Sequence, residues 1–189
     1  MRRILNLQFG NVYQRRQKGF TVLSRIYSHP AYCWLDAVDE CGGKNIEDAR
    51  LEGYVSSRDP ATLSLGLPDG EYEITLTAYT KDKGHASYGL TANGKPAIPV
   101  VELIAGKVFR QKFIAHSRRN RLNLRFTPQP GGDFIVNTIE VRGQHAVELL
   151  PLFRQAPPVA MPDRLELNQQ PALDPLKALE KIGDWFLTH

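Results

Sequence analysis

The side chains of this 189-residue chain that could carry chemistry are aromatic and basic. Tyr32 and Trp34 flank Cys33 and share a face if that stretch is extended. Tyr79 stands just ahead of the loop Thr80-Lys81-Asp82-Lys83-Gly84-His85, and Tyr88 follows it. Flat rings pack against the C–H faces of sugars, whereas sugar hydroxyls want planar polar partners such as Asn, Asp and Arg. Loops held by a rigid scaffold are where binding residues concentrate. Tyr32, Trp34, Tyr79 and His85 are therefore the expected aromatic platform. The competing expectation is that Trp34 and Tyr79 fill a core, as buried aromatics often do.

Basic residues gather twice. Arg15, Arg16 and Lys18 fall in one loop, and His116, Arg118, Arg119, Arg121 and Arg125 surround a hairpin. Arg121, Asn123 and Arg125 share the face opposite Leu122 and Leu124. Arg121 and Arg125 could pair bidentately with the carboxylates or sulfates of an acidic polysaccharide, or could simply line a solvated sheet face. Nucleic acid is not an expected partner. The net charge of +4, from 24 Lys and Arg against 20 Asp and Glu, is mild, and aromatic and basic residues do not interleave.

Catalytic constellations are missing from the sequence. It contains no Gly-x-Ser-x-Gly elbow, no Gly-rich phosphate loop and no His-Glu-x-x-His. Asp36, Asp39, Glu40, Glu47 and Asp48 could offer oxygen ligands to calcium, but lack the acidic spacing and Gly of an EF-hand loop. They read as a solvated loop, and no cofactor is expected from it. Cys33 and Cys41 lack further ligands at zinc-finger spacing and are expected to be free thiols.

The elements that must position these residues are short strands. Apolar residues make up 42% and charged residues 23%, which excludes wholesale disorder. No apolar run approaches the roughly 18 residues that cross a bilayer, so no membrane partner is expected. Ala61–Leu67 alternates, Leu67-Pro68-Asp69-Gly70 turns, and Glu71–Tyr79 alternates again with Tyr72, Ile74, Leu76 and Ala78 inward. His85–Thr91, an edge piece over Ala97–Glu102 containing Pro99, Val108–Ala115, Asn120–Thr127 and a closing strand Phe134–Arg142 follow. Short strands at spacings near ten residues, with Gly and Pro turns, predict an all-β antiparallel sandwich over residues 4–143. Pro151, Pro157, Pro158, Pro162 and Pro171 make 144–173 a linker or wrapping segment. Asp174-Pro175 then opens one short amphipathic helix to His189, which either docks on the sandwich or begins a further domain.

Asn6-Leu7-Gln8-Phe9-Gly10, Gly19-Phe20-Thr21-Val22 and Tyr32-Cys33-Trp34-Leu35 together resemble the opening of galactose-binding-like β-sandwich domains. The resemblance continues at Leu67-Pro68-Asp69-Gly70-Glu71-Tyr72, at Leu122-Asn123-Leu124-Arg125-Phe126 and along Phe134-Ile135-Val136-Asn137-Thr138-Ile139-Glu140-Val141. Leu7 and Gln8 stand where the family usually has Phe-Asp, and Cys33 where Gly is common. Such domains are attached to polysaccharide-active enzymes, including rhamnogalacturonan acetylesterase-type hydrolases and polysaccharide lyases. The resemblance implies a jelly-roll sandwich and a non-catalytic carbohydrate-binding module, with a polysaccharide or oligosaccharide ligand and a catalytic domain in the parent protein. Structural calcium occurs in the family. Its other implication is an accessory domain that binds no glycan, the enzyme lying beyond His189. Met1–Gly10 lacks the apolar stretch of a secretory signal, which leaves a cytoplasmic protein or a secreted one with its leader removed.

Overall fold

A computed structural model describes residues 1–11, 13–25, 29–42, 46–81 and 86–152. The expected helix over 174–189, most of the Pro-rich stretch and His85 lie outside the described residues. No helix among the described residues is long and apolar enough to cross a membrane.

The strands are β1 Arg2–Phe9, β2 Thr21–Leu23, β3 Tyr32–Trp34, β4 Asp39–Gly42, β5 Gly53–Ser57, β6 Ala61–Leu65 and β7 Gly70–Ala78. They continue as β8 Ala86–Ala92, β9 Lys95–Leu103, β10 Phe109–Ser117, β11 Leu122–Pro128, β12 Phe134–Val136 and β13 Thr138–Gly143. One sheet runs β10-β7-β13-β1-β2 and the other β3-β6-β11-β8-β9, with a small third sheet β12-β5-β4. All pairings are antiparallel except β1 with β2. The chain is an all-β antiparallel sandwich.

The period-two pattern explains the core. Leu63 and Leu65 of β6, Leu122, Leu124 and Phe126 of β11, and Ile74 and Leu76 of β7 are fully buried between the sheets. The outward threonines of β7 are not wet, contrary to simple alternation: Thr75 and Thr77 are buried as well. Their register explains this. Thr77 lies beside Arg110 on β10, and Thr75 beside Glu140 on β13. The Arg110 guanidinium reaches across β7 to the buried Glu140 carboxylate at 2.9 Å, passing over both threonines.

Turn chemistry fixes the hairpins. β8 and β9 join through Asn93 and Gly94, both at positive φ (47° and 78°), the combination a two-residue hairpin with the strand twist requires. Asn93 also binds the His116 and Arg121 carbonyls through Nδ2 and accepts from the Asn123 amide, tying this turn to β10 and β11. Pro99 is accommodated because β9 is a sheet edge.

The closing strand differs from its expected form. It is divided at Asn137: Phe134–Val136 pairs with β5 in the small sheet, and Thr138–Gly143 pairs with β1 and β7. Beyond β13 the chain continues as a strap, where the Leu150 amide donates to Gly66 O at 2.8 Å and the Leu152 amide to Pro30 O at 2.6 Å. Cys33 and Cys41 are free thiols, and burial pushes the Cys33 thiol above its ordinary value.

Tyr88 is fully buried, and its hydroxyl donates to Ile135 O at 2.7 Å. Burial holds the phenol far above its usual range, so it remains a donor at all ordinary pH values. Tyr88→Phe leaves that carbonyl unpaired in the core. The expected loss in urea unfolding is about 1–3 kcal/mol, with an unchanged denaturant slope.

Candidate functional site

One end of the sandwich carries a cleft of about 460 Å³ lined by Arg25, Trp34, Asp36, Ala37, Val38, Asp39, Ser57 and Asp59. Its residues come from segments far apart in sequence. Trp34 closes β3, Asp36 to Val38 lead into β4, which Asp39 opens, Ser57 closes β5, and Asp59 lies between β5 and β6. Pairing of β3 with β6, which sets Trp34 opposite Leu63, brings the first and last of these together.

Trp34 is held from behind by an aromatic cluster. Its ring centroid lies 5.5 Å from Phe9, 5.6 Å from Phe126 and 6.0 Å from Phe134. Such packing fixes the indole while leaving it partly exposed at the cleft wall. Its Nε1 is buried without a hydrogen-bond partner among the described residues, a donor that a water or hydroxyl reaching it would satisfy.

The polar groups divide into anchored and available. Asp36 is positioned by the Thr62 amide, which donates to Oδ2 at 2.8 Å. The side chains of Asp39, Asp59 and Arg25 have no hydrogen-bond or ion-pair partner among the described residues, although the Asp59 amide bonds Ser57 Oγ at 3.0 Å. Arg58 is drawn to Asp133 at 3.5 Å. The cleft thus offers one aromatic wall, two free carboxylates, one anchored carboxylate and one free guanidinium. Among the described residues no group of three or more His, Cys, Asp or Glu could hold a metal ion.

The expected site residues do not converge. Trp34 lines the cleft. Tyr79 follows β7 at the same end of the sandwich, half-buried, but is not part of the cleft wall. Tyr32 is a correction: it points inward with only 5% of its surface exposed, and its ring stacks on His29 at 4.3 Å, so it cannot join an open platform. His85 is outside the described residues. Arg121 lies at the opposite end, where Nη2 donates to Leu152 O at 2.5 Å. Arg125 is exposed on the outer face of β11, in register with Thr62 and Thr91.

Asp36, Asp39 and Asp59 were not among the expected site residues, and Arg25 carried no signal of its own. The available cue was the position of Asp36 and Asp39 immediately after an aromatic strand, together with the Arg58-Asp59-Pro60 loop that precedes β6. Recognising them needed the β3–β6 pairing, which no local pattern specifies.

No family model matches the chain, and no curated protein sequence matches it. Solved structures do resemble it. The YxiM protein of Bacillus subtilis superposes with a TM-score of 0.58 at 15% identity, covering 79% of this chain and 41% of the other. Bacteroides uniformis β-glucuronidase gives 0.59 at 16% identity, over 75% of this chain and 18% of its own. The plant receptor-like kinase FER gives 0.60 at 14% identity, over 74% and 42%. What these likenesses establish is the shared β-sandwich. This chain spans less than half the length of each of the three.

Proposed function

We propose that the chain is a non-catalytic carbohydrate-binding module of the galactose-binding-like type, which holds a polysaccharide-processing enzyme on its polymer. The observation that carries this reading is the cleft at the strand ends, where a packed but partly exposed Trp34 faces planar polar groups without partners among the described residues. A sugar ring placed there would stack one face on the indole and direct its hydroxyls to Asp39, Asp59 and Arg25. The sequence resemblance and the β-sandwich held in common with a β-glucuronidase point the same way. An open, wet cleft gives weak contacts, so the benefit to an attached enzyme would be local concentration rather than tight binding. Under this reading the partners are a polysaccharide or oligosaccharide and a catalytic domain in the parent protein.

Affinity electrophoresis in gels containing soluble polysaccharides tests the reading. The parent chain is expected to be retarded by at least one polymer. Asp59→Ala, an exposed change unlinked to the core, is expected to weaken that retardation about tenfold or more, roughly one hydrogen bond to a charged group. Trp34→Ala is expected to abolish it. Because Trp34 also packs on Phe9, Phe126 and Phe134, that variant counts only where its circular dichroism and unfolding remain cooperative. Passage of the parent through every gel unretarded would instead favour an accessory domain that binds no glycan.

A further inference from the structure

From the charge distribution of the cleft we infer that its ligand is an uncharged saccharide, and that uronates and sulfated sugars are disfavoured there. The inference rests on the binding reading above and refines it. Among the described residues three carboxylates, Asp36, Asp39 and Asp59, line the cleft against the guanidinium of Arg25, a local charge of −2. The residues that could have read acidic groups lie elsewhere. Arg121 is tied to the Leu152 carbonyl at the other end of the sandwich, and Arg125 stands on an outer sheet face. Arg58, the basic neighbour of Asp59, is directed to Asp133.

Hydroxyls suit this lining and anions do not. A hydroxyl donates to a carboxylate and accepts from a guanidinium, so the free Asp39, Asp59 and Arg25 can all be satisfied by one polyol. An anionic sugar group would desolvate beside carboxylates with one arginine to offset them. In water-like surroundings each net negative charge about 6 Å away weakens an anion's binding roughly threefold, so two give about tenfold. The two asparagine substitutions Asp39→Asn and Asp59→Asn remove that net charge while retaining amide oxygens as acceptors.

Calorimetric titration of the full chain with matched oligosaccharide pairs tests this. The pairs differ only at C6: gluco- with glucurono-, galacto- with galacturono-, and manno- with mannurono-oligosaccharides. The neutral member of the recognised pair is expected to bind about tenfold or more tightly than its uronate. In the Asp39→Asn/Asp59→Asn double variant that ratio is expected to shrink toward one, and in the parent it is expected to shrink at high salt. Equal or tighter binding of the uronate by the parent would overturn the charge selection while leaving the module reading intact. A ratio unmoved by the double variant would overturn the assignment to these carboxylates. No binding to either member of any pair would overturn the binding reading, and the selection with it.

Discussion

Asn137→Leu is expected to cost about 3–9 kcal/mol, a large part of the roughly 5–15 kcal/mol that holds a domain folded. Asn137 is completely buried at the break between β12 and β13. Its Oδ1 accepts from the Tyr79 amide at 2.6 Å, while Nδ2 donates to Leu51 O at 3.2 Å and Gly53 O at 2.9 Å. One side chain therefore supplies the missing partner to three backbone groups from two connections. Leucine keeps the branch at Cγ but carries bulkier methyl groups, so overpacking adds to the loss while all three groups lose their partner. Each buried unpaired group costs about 1–3 kcal/mol. Urea unfolding followed by tryptophan fluorescence measures the loss, and a change below about 1 kcal/mol would mean that water takes over these bonds.

Asn137→Asp separates the donor from the acceptor role. The carboxylate keeps the bond from the Tyr79 amide but turns a charge toward two carbonyl oxygens. Both this repulsion and burial favour the protonated acid, so the folded-state pKa is raised above the unfolded value of about 3.9. The variant should therefore come closest to the parent below pH 4. Its deficit should grow as the pH rises through the unfolded pKa and become constant above the folded one. A deficit independent of pH from 3 to 8 would contradict the assigned donor direction.

Asn137 also marks how far the sequence could be read. A buried amide needs partners, and Asn137, set among inward apolar residues, finds them on the backbone. The same pattern did not reveal that the strand breaks there. Phe134, Ile135 and Val136 are all buried, and strand pairing changes from β5 to β1 and β7 within two residues. Alternation reports which face a residue takes and not which neighbour it pairs with. The β7 strand was legible because its signal, a period of two, is local. Tyr32 illustrates the opposite case. Tyr32 and Trp34 do share a face, but it is the inner face, and only the position of Trp34 at the strand's end lets it reach the cleft. The cleft itself is assembled from three connections whose proximity depends on long-range pairing.

Gly66→Ala is expected to release the strap that follows β13. A Cβ at Gly66 would sit 1.8 Å from the Leu150 carbonyl oxygen and 2.9 Å from its carbon, with Ala31 O at 3.3 Å. All three are backbone atoms, so no side-chain rotation relieves the contact. Either β6 shifts at its end, in a fully packed core beside Leu65 and Leu67, or the strap lifts. Lifting is the smaller loss. It breaks the Leu150–Gly66 and Leu152–Pro30 bonds, frees the Arg121 guanidinium from Leu152 O and exposes the Leu152 side chain. At about 1 kcal/mol per hydrogen bond and about 2 kcal/mol for the leucine, the ceiling is roughly 3–5 kcal/mol, less the entropy the freed segment regains. Hydrogen exchange distinguishes the two outcomes. The Leu150 and Leu152 amides should exchange at near-unprotected rates in Gly66→Ala while Leu63, Leu65 and Leu124 stay protected, because local detachment leaves the sheet intact. Faster exchange along β6 as well would mean that the sheet yields before the strap, and that the strap is bound more firmly than its three bonds account for.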